Sequence, residues 1–182
     1  MQRVVKRRLT FLLAGTIIAV SYLLFRCHLY DYQESAIIKN VAPANVWEYV
    51  ADFGNMKHLN PTIVEFDILS ESGNYNRWQY SAEYTENLSH WPYLSNRAVA
   101  HFDVSSEHGT YFIVSNHHTC MLGGLLCLRS TSVFKFTKSL AGTVCLEKIQ
   151  YQCPFLMARF CEREVIFQRR HIFQNLKAHF DK

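Results

Sequence analysis

The sequence predicts an α+β fold in which a curved antiparallel sheet of about seven strands packs around one long C-terminal helix. Apolar and polar residues alternate over Asp31–Asn40 and again over 62–151, as they do in half-buried strands. Turn signals separate the alternating segments at near-regular spacing. After Pro154 the apolar residues recur at helical spacing as far as Phe180. The length of 182 residues is that of about one domain.

The N-terminal segment differs from the rest of the chain in charge and hydropathy. Residues 1–8 form a basic tail, and the 17 residues at 9–25 carry no charge. A helix of that length extends roughly 25 Å, which is near the thickness of the hydrocarbon core of a bilayer. We therefore expect a single-pass transmembrane anchor at 9–25, a linker at 26–30 and one folded domain at 31–182.

Two other interpretations of this segment stay open. Ala19 and Ser21 are spaced as a signal-peptide cleavage site requires, and the early arginines fit a mitochondrial leader. The excess of basic residues before the span places that end in the cytosol and the domain in the lumen or outside. We expect the endoplasmic reticulum and secretory pathway, with the mitochondrial membrane as the alternative. Asn87 begins an Asn-Leu-Ser sequon and is a glycosylation candidate.

The distribution of charge argues against a nucleic-acid partner. The chain has 19 Lys and Arg against 15 Asp and Glu, but five of the basic residues lie within 1–26. The remaining 156 residues carry one more acid than base, whereas a protein that follows a phosphate backbone needs a basic face. We therefore expect a membrane and a hydrophobic molecule as partners, and no nucleic acid.

Local signals place the other elements. Pro43 suits the first turn of a helix and Gly54 its end, and a short second helical segment runs to Leu59. Six strands are expected after the first, over residues 63–69, 78–84, 98–104, 111–114, 132–137 and 143–151. The long helix is expected over Phe155–Phe180, with its apolar stripe turned towards the sheet.

The order of these elements resembles the helix-grip fold of the START-like and Bet v 1-like (SRPBCC) superfamily. Val41–Val50 is similar to the opening helix of that superfamily, and Trp91–Arg97 resembles the Trp-Pro…Arg segment of START lipid-binding domains. Ala98 stands where those domains usually have Asp, and Gly109–Ser115 resembles the strand that follows. The resemblance covers residues 31–182. It implies that a sterol, phospholipid or other hydrophobic ligand binds in a central cavity.

Aromatic side chains indicate where such a ligand would lie. Tyr80, Tyr84 and Phe102 share strand faces with Ala82 and Ala100, and small residues beside aromatic ones leave space for a ligand. We expect the ligand to contact seven side chains of the sheet and the helix: Trp78, Tyr80, Tyr84, Phe102, Phe134, Met157 and Phe160. The expected function is membrane-anchored binding or transfer of a lipid.

Motifs for catalysis are lacking, since the sequence has no G-x-S-x-G, phosphate-binding glycine loop or H-E-x-x-H. Asp103, Glu147 and His101 would suit acid–base chemistry if they faced a cavity. However, His101 and Asp103 lie opposite the apolar face of their strand. We expect no enzyme activity and no cofactor. A cyclase- or hydrolase-like enzyme and a ligand-free interaction domain are the alternatives.

The six cysteines are expected to be mostly free thiols in the core. A Cys120–Cys127 disulfide across the Gly123-Gly124 turn is the alternative. No metal site is expected, because the adjacent residues His117 and His118 point to opposite faces of a strand. Arg97 is expected to pair with Glu83 or Asp103.

Overall fold

This computed structural model describes residues 2–75 and 77–181. Within α1, the side chains described are that of Arg7 and those from Phe11 onwards. In chain order the elements are α1 (Gln2–Phe25), β1 (Cys27–Lys39), α2 (Pro43–Ala51), α3 (Phe53–Leu59), β2 (Ile63–Asn74), β3 (Arg77–Asn87), β4 (Ser95–Glu107), β5 (Thr110–Met121), β6 (Leu126–Ser139), β7 (Gly142–Pro154) and α4 (Ala158–Phe180). Short 3₁₀ turns at Leu122–Gly124 and Phe155–Met157 follow β5 and β7.

The seven strands form one antiparallel sheet in the order β1-β7-β6-β5-β4-β3-β2. β1 therefore crosses over to pair with β7, with Cys27 opposite Pro154 and Lys39 opposite Gly142. The remaining strands pair with their neighbours in sequence. The predicted α+β class, the seven-stranded curved sheet and the long C-terminal helix are confirmed. That helix begins at Ala158, after a 3₁₀ turn, rather than at Phe155.

The period-two pattern of the strands sorts their side chains between the two faces of the sheet. In β4 the residues Ala98, Ala100 and Val104 are fully buried, while Arg97 and His101 on the opposite face are exposed. The aromatic rings of Tyr80 and Phe102 stack with their centroids 4.5 Å apart. The concave face is thus filled largely by the packed side chains of the core, into which α2, α3 and α4 also bury their apolar residues.

Each short helix is tied to the sheet or to α4 by a hydrogen bond as well as by apolar contacts. The Trp47 side chain of α2 is buried, and its Nε1 donates to the Phe112 carbonyl at 3.1 Å. The Asn175 amide of α4 donates to the Leu59 carbonyl at the end of α3 at 2.9 Å. These bonds hold the two short helices over one end of the sheet.

The N-terminal helix α1 leads directly into the sheet. The residues predicted as a linker at 26–30 instead belong mostly to β1, which starts at Cys27. The linker prediction was wrong because β7 extends to Pro154 and provides the backbone partners that keep residues 27–30 extended. Among the described residues, no helix meets the length and apolarity needed to cross a membrane. Arg3, Lys6 and Arg8 of the predicted basic tail lie outside the described side chains.

Four of the six cysteines are paired, so the prediction of mostly free core thiols was wrong. Cys120 is bonded to Cys127, and Cys153 is bonded to Cys161. The first pairing follows from the register of the sheet, which puts Cys120 directly opposite Cys127. The second connects the end of β7 to the first turn of α4. Cys145 remains a free buried thiol and Cys27 a free exposed one.

Replacing Cys153 and Cys161 together by Ala should lower the free energy of unfolding by about 2 kcal/mol, as is typical for a cross-link that closes a short loop. Urea denaturation of the native chain and the double variant measures the difference. Non-reducing peptide mapping should recover both cross-links, and Cys145→Ala serves as a control that breaks neither. Alkylation of Cys153 or Cys161 in the native chain without a reductant would contradict this pairing.

Candidate functional site

A cavity of about 150 Å³ lies between α4 and the concave face of the sheet. Near α2 and α3 its wall is apolar and includes Phe53, Phe102 and Ile113. Towards the end of the sheet where β1 starts, the wall includes Met121 and Phe160. The cavity therefore extends from the main core to the loops at that end of the domain.

The middle of the cavity is polar, because the inward positions of several strands change from apolar to polar residues along their length. In β3 the inward series Tyr80, Ala82, Tyr84 continues to Glu86, which is also buried. Helix α4 faces this band with Glu164 and with the residues four and five positions after it, Gln168 and Arg169. The polar side chains of the band are Glu86, Ser115, His117, Ser132 and Glu147 from the sheet, and Glu164, Gln168 and Arg169 from α4.

A buried ion pair joins α4 to β7 at the centre of this band. Arg169 Nη1 donates to Glu147 Oε1 at 2.7 Å, and the two side chains are 14% and 1% exposed. Ser132 Oγ donates to the same Glu147 oxygen at 2.6 Å. Burial raises the pKa of Glu147, while the Arg169 charge and these hydrogen bonds act in the opposite direction.

Two atoms of this ion pair have no hydrogen-bond partner in the described part of the chain. They are Glu147 Oε2, an acceptor, and Arg169 Nε, a donor, and both are buried. Leaving a buried polar atom without a partner costs about 1–3 kcal/mol, and more when the group is charged. Both residues line the cavity, so a polar ligand group that reached these two atoms would supply the partners they lack.

His117 provides a neutral polar group on the same wall. Its Nδ1 lies 2.9 Å from the Tyr84 hydroxyl and its Nε2 lies 2.8 Å from Ser115 Oγ. Burial first, and the Arg169 charge second, lower the pKa of His117 from 6.5 to about 3. The imidazole is therefore uncharged at neutral pH, and either neutral tautomer can satisfy both hydroxyl partners.

Two further glutamates lie at the interface between α4 and the sheet, Glu86 in β3 and Glu164 in α4. Gln168 Nε2 donates to Glu86 Oε2 at 3.3 Å, and burial raises the pKa of Glu86 although Arg169 opposes the shift. Glu164 accepts from the backbone N–H and the hydroxyl of Ser89, at 2.7 and 2.8 Å. The described part of the cavity wall thus carries three buried carboxyl groups close to one buried guanidinium, an arrangement that favours uncharged or donating ligand groups.

The structure brings four of the seven predicted ligand-contacting residues to the cavity wall: Tyr84, Phe102, Phe134 and Phe160. Tyr80 lies in the packed core, where its hydroxyl donates to the Ala51 carbonyl at 2.8 Å. Trp78 packs against the core near the β2–β3 turn, away from the start of β1. Met157 lies in the 3₁₀ turn before α4, against a second apolar cluster. Ala82 and Ala100 are buried in the core and do not line the cavity.

The three candidates for acid–base chemistry lie on different faces of the sheet, and His101 and Asp103 lie on the face that their strand positions predict. His101 bonds to Ser81, and Asp103 to Arg77 and Gln79, all on the outer face. Glu147 faces the cavity. Arg97 pairs with Glu83 through two hydrogen bonds of 2.8 and 2.6 Å, as expected for one of its two predicted partners.

Glu86, His117 and Arg169 line the cavity but were not predicted as site residues. The alternation of β3 and β5 already contained the signal for the first two, since Glu86 follows Tyr84 by two positions and His117 shares the face of Ile113. Arg169 lies outside the apolar stripe of α4, where a charged residue normally faces solvent. Its burial depends on Glu147, which belongs to a distant part of the sequence.

A group of possible metal ligands lies where β5 and β6 pair beside the β5–β6 loop. The ligand atoms of His118, Cys120 and Cys127 lie within 4.8 Å of one another. Cys120 and Cys127 share a disulfide, so neither sulfur is present as the thiolate that binds metals. In this oxidised state the group therefore does not provide a metal site.

Several solved structures are similar to this fold. TTHA0849 from Thermus thermophilus matches with a TM-score of 0.62 at 10% identity, covering 82% of this chain and 95% of that one. The di-domain ARO/CYC StfQ from the steffimycin biosynthetic pathway gives 0.58 at 13%, covering 84% of this chain and 51% of that one. Ara h 8.0201 gives 0.51 at 12%, covering 84% and 98%.

The fold of this chain is thus shared with proteins of known structure. At such low identity the similarity shows the fold alone. No protein-family profile and no curated protein matches the sequence.

His117 should make the protein less stable in acid. Its pKa is lower in the folded state than in the unfolded state, so between pH 6.5 and about 3 the unfolded chain binds more protons. From pH 6.5 to 4.5 this group should remove about 2–3 kcal/mol from the free energy of unfolding, since one pH unit contributes about 1.4 kcal/mol. Urea denaturation at several pH values should show that His117→Gln lacks this loss. His101→Gln, on the exposed face, should keep the native pH profile.

Proposed function

We propose that this protein binds a hydrophobic ligand that carries a polar group, such as a sterol, a phospholipid or a similar lipid, in the START-like manner. The observation that carries the proposal is the buried Glu147–Arg169 pair, which lines the cavity and leaves one acceptor and one donor unmatched. A hydroxyl group both donates and accepts, so a single ligand hydroxyl matches the two atoms. The apolar wall near Phe102 and Ile113 suits the hydrocarbon part.

The size of the cavity limits how such a ligand is held. Pockets that bury a drug-sized ligand measure roughly 300–1,000 Å³, whereas this cavity measures about 150 Å³. A whole sterol therefore needs α4 or the adjoining loops to move outwards from the sheet. The proposal thus includes an opening step, after which the cavity closes over the part of the ligand nearest the ion pair.

We further propose that the uncharged segment 9–25 of α1, which begins before the continuously described side chains, is a single-pass anchor that holds the domain at a membrane of the secretory pathway. Phe11, Leu12, Ile17, Ile18 and Leu23 are each 60–69% exposed, so α1 does not bury its apolar side chains against the domain. Disulfides are typical of oxidising compartments, and the chain pairs four cysteines. The Asn87 sequon at the end of β3 is compatible with the same side of the membrane.

Filling the cavity should remove the ligand without unfolding the protein. Val165 of α4 lines the cavity, so Val165→Phe should place its ring in the ligand space. Native mass spectrometry of the purified full chain should show a bound lipid in the native protein and a large loss of occupancy in this variant. Val133→Phe, on the partly exposed outer face of β6, should bind as the native chain does. Equal occupancy in both variants would refute a ligand under α4.

A second function, acid–base catalysis on a hydrophobic substrate, is favoured by the position of Glu147. Its carboxyl group is buried beside the cavity, and burial raises its pKa. Carboxyl groups of this kind serve as general acids in enzymes. The structural similarity to StfQ is compatible with this alternative.

Glu147→Gln distinguishes binding from catalysis, because the amide keeps the shape of the side chain and cannot exchange a proton at neutral pH. On the binding proposal, lipids extracted from the native chain and the variant should have the same masses. Accumulation of a ligand of different mass on Glu147→Gln would favour the enzyme. Asp103→Asn, which alters a carboxyl group on the outer face, is the matched control.

A further inference from the structure

The loops at one end of the sheet share exposed, large apolar side chains. Because neighbouring strands are antiparallel, the start of β1 lies at the same end as the β3–β4 loop, the β5–β6 loop and the turn between β7 and α4. The C-terminal end of α1 also lies there, since the Phe155 N–H donates to the Arg26 carbonyl at 3.2 Å. We refer to this as the α1 end of the domain.

Large apolar side chains project from each of these three connections. Leu125 and Tyr93 are 88% and 82% exposed, and the others are between 45% and 61% exposed. Together they are Trp91 and Tyr93 in the β3–β4 loop, Leu122 and Leu125 in the β5–β6 loop, and Phe155 and Leu156 after β7. At the opposite end, the β4–β5 turn is polar, with the sequence Glu107-His108-Gly109, and the β6–β7 turn exposes Leu140.

These loops are held in place although their side chains are exposed. The Cys120–Cys127 disulfide closes the loop that carries Leu122 and Leu125. The Cys153–Cys161 disulfide closes the turn that carries Phe155 and Leu156. The Trp91 ring stacks on Phe160 of α4 with the ring centroids 5.8 Å apart. The apolar residues therefore form a preformed surface rather than mobile tips.

We infer that this surface docks on a lipid bilayer, with its six apolar side chains inserted among the lipid headgroups and the upper acyl chains. It is continuous with α1, whose exposed apolar side chains lead away from the same end, and the inference rests on that part of the proposed function. Exposed Arg26, Arg159 and Arg163 lie beside the surface, where guanidinium groups can pair with lipid phosphates. Arg159 also lies 3.6 Å from Glu162, in an exposed ion pair that contributes little stability. The opposite end has no helix comparable to α1 in the described part of the chain.

Docking in this orientation would turn the cavity towards the bilayer. Leu88, Met121, Leu128 and Phe160 line the cavity at the α1 end, directly behind the docking loops. A lipid could then pass between the bilayer and the Glu147–Arg169 pair without crossing bulk water. The surface itself does not require a ligand to be bound, so its test is independent of ligand occupancy.

The three tryptophans of the chain provide a natural test of this orientation. Trp91 lies on the docking surface, whereas Trp47 is buried near the opposite end and Trp78 packs there as well. The full chain is reconstituted into vesicles of phosphatidylcholine with bromine on its acyl chains, which quenches nearby indole fluorescence. We expect quenching of the native chain and loss of that quenching in Trp91→Phe.

Substitutions in the loops test the contact itself. Leu125→Asp should reduce the quenching of Trp91 while the chain stays on the vesicles, and Leu140→Asp, at the opposite end, should leave it unchanged. Circular dichroism checks that both variants fold. Equal quenching in the native chain and Trp91→Phe, with the chain bound to vesicles, would overturn the docking surface but not the anchor.

Two other results would also overturn the docking surface. Failure of the full chain to float with vesicles would refute both the anchor and the docking surface. A dimer in detergent that Leu125→Asp converts to a monomer, without any effect on quenching, would assign the surface to a second copy of the chain.

Discussion

The buried ion pair between Arg169 and Glu147 determines how α4 can pack on this sheet. Removing each charge from water costs several kcal/mol, and only close pairing and further hydrogen bonds offset that cost. Ser132 supplies one such bond, but two atoms of the pair remain unmatched. The Arg169 charge also reaches the neighbouring groups, since it favours the ionised form of Glu86 and the neutral form of His117. Burial is the larger cause of the pKa shifts of Glu86, His117 and Glu147, and the Arg169 charge acts on all three.

Alternation along the strands was sufficient to predict the sheet, because a half-buried strand must place every second residue on the apolar face. The same rule placed Tyr84, Phe102 and Phe134 inside. The rule could not predict whether Trp78 or Tyr80 lines the cavity, because that depends on where α4 crosses the sheet. The burial of Arg169 depends on Glu147, which is distant in the sequence, so the local pattern does not contain it. The Gly123-Gly124 turn offered the Cys120–Cys127 disulfide only as an alternative, because the strand register that decides it is not part of the local pattern.

The interior changes character along its length. Near α2 and α3 the rings of Phe53, Tyr80 and Phe102 pack closely, and further along the wall His117 and Glu147 provide polar groups. Beyond them, towards the start of β1, Leu128 and Tyr151 form a second apolar cluster together with the Cys153–Cys161 disulfide. A ligand with one polar group can satisfy this sequence of environments in only a limited number of positions along the cavity. The arrangement therefore selects for orientation as well as for hydrophobicity.

The pairing of β1 with β7 has a consequence for biosynthesis. β1 lies at the edge of the sheet, so β7 is its only strand neighbour, and residues 142–154 leave the ribosome long after residues 27–39. At about 5–20 residues per second this delay is roughly 5–20 s. During that time β1 is an unpaired strand whose backbone groups are open to other chains, and such edges favour aggregation. Completion of the sheet therefore waits until β7 has been synthesised.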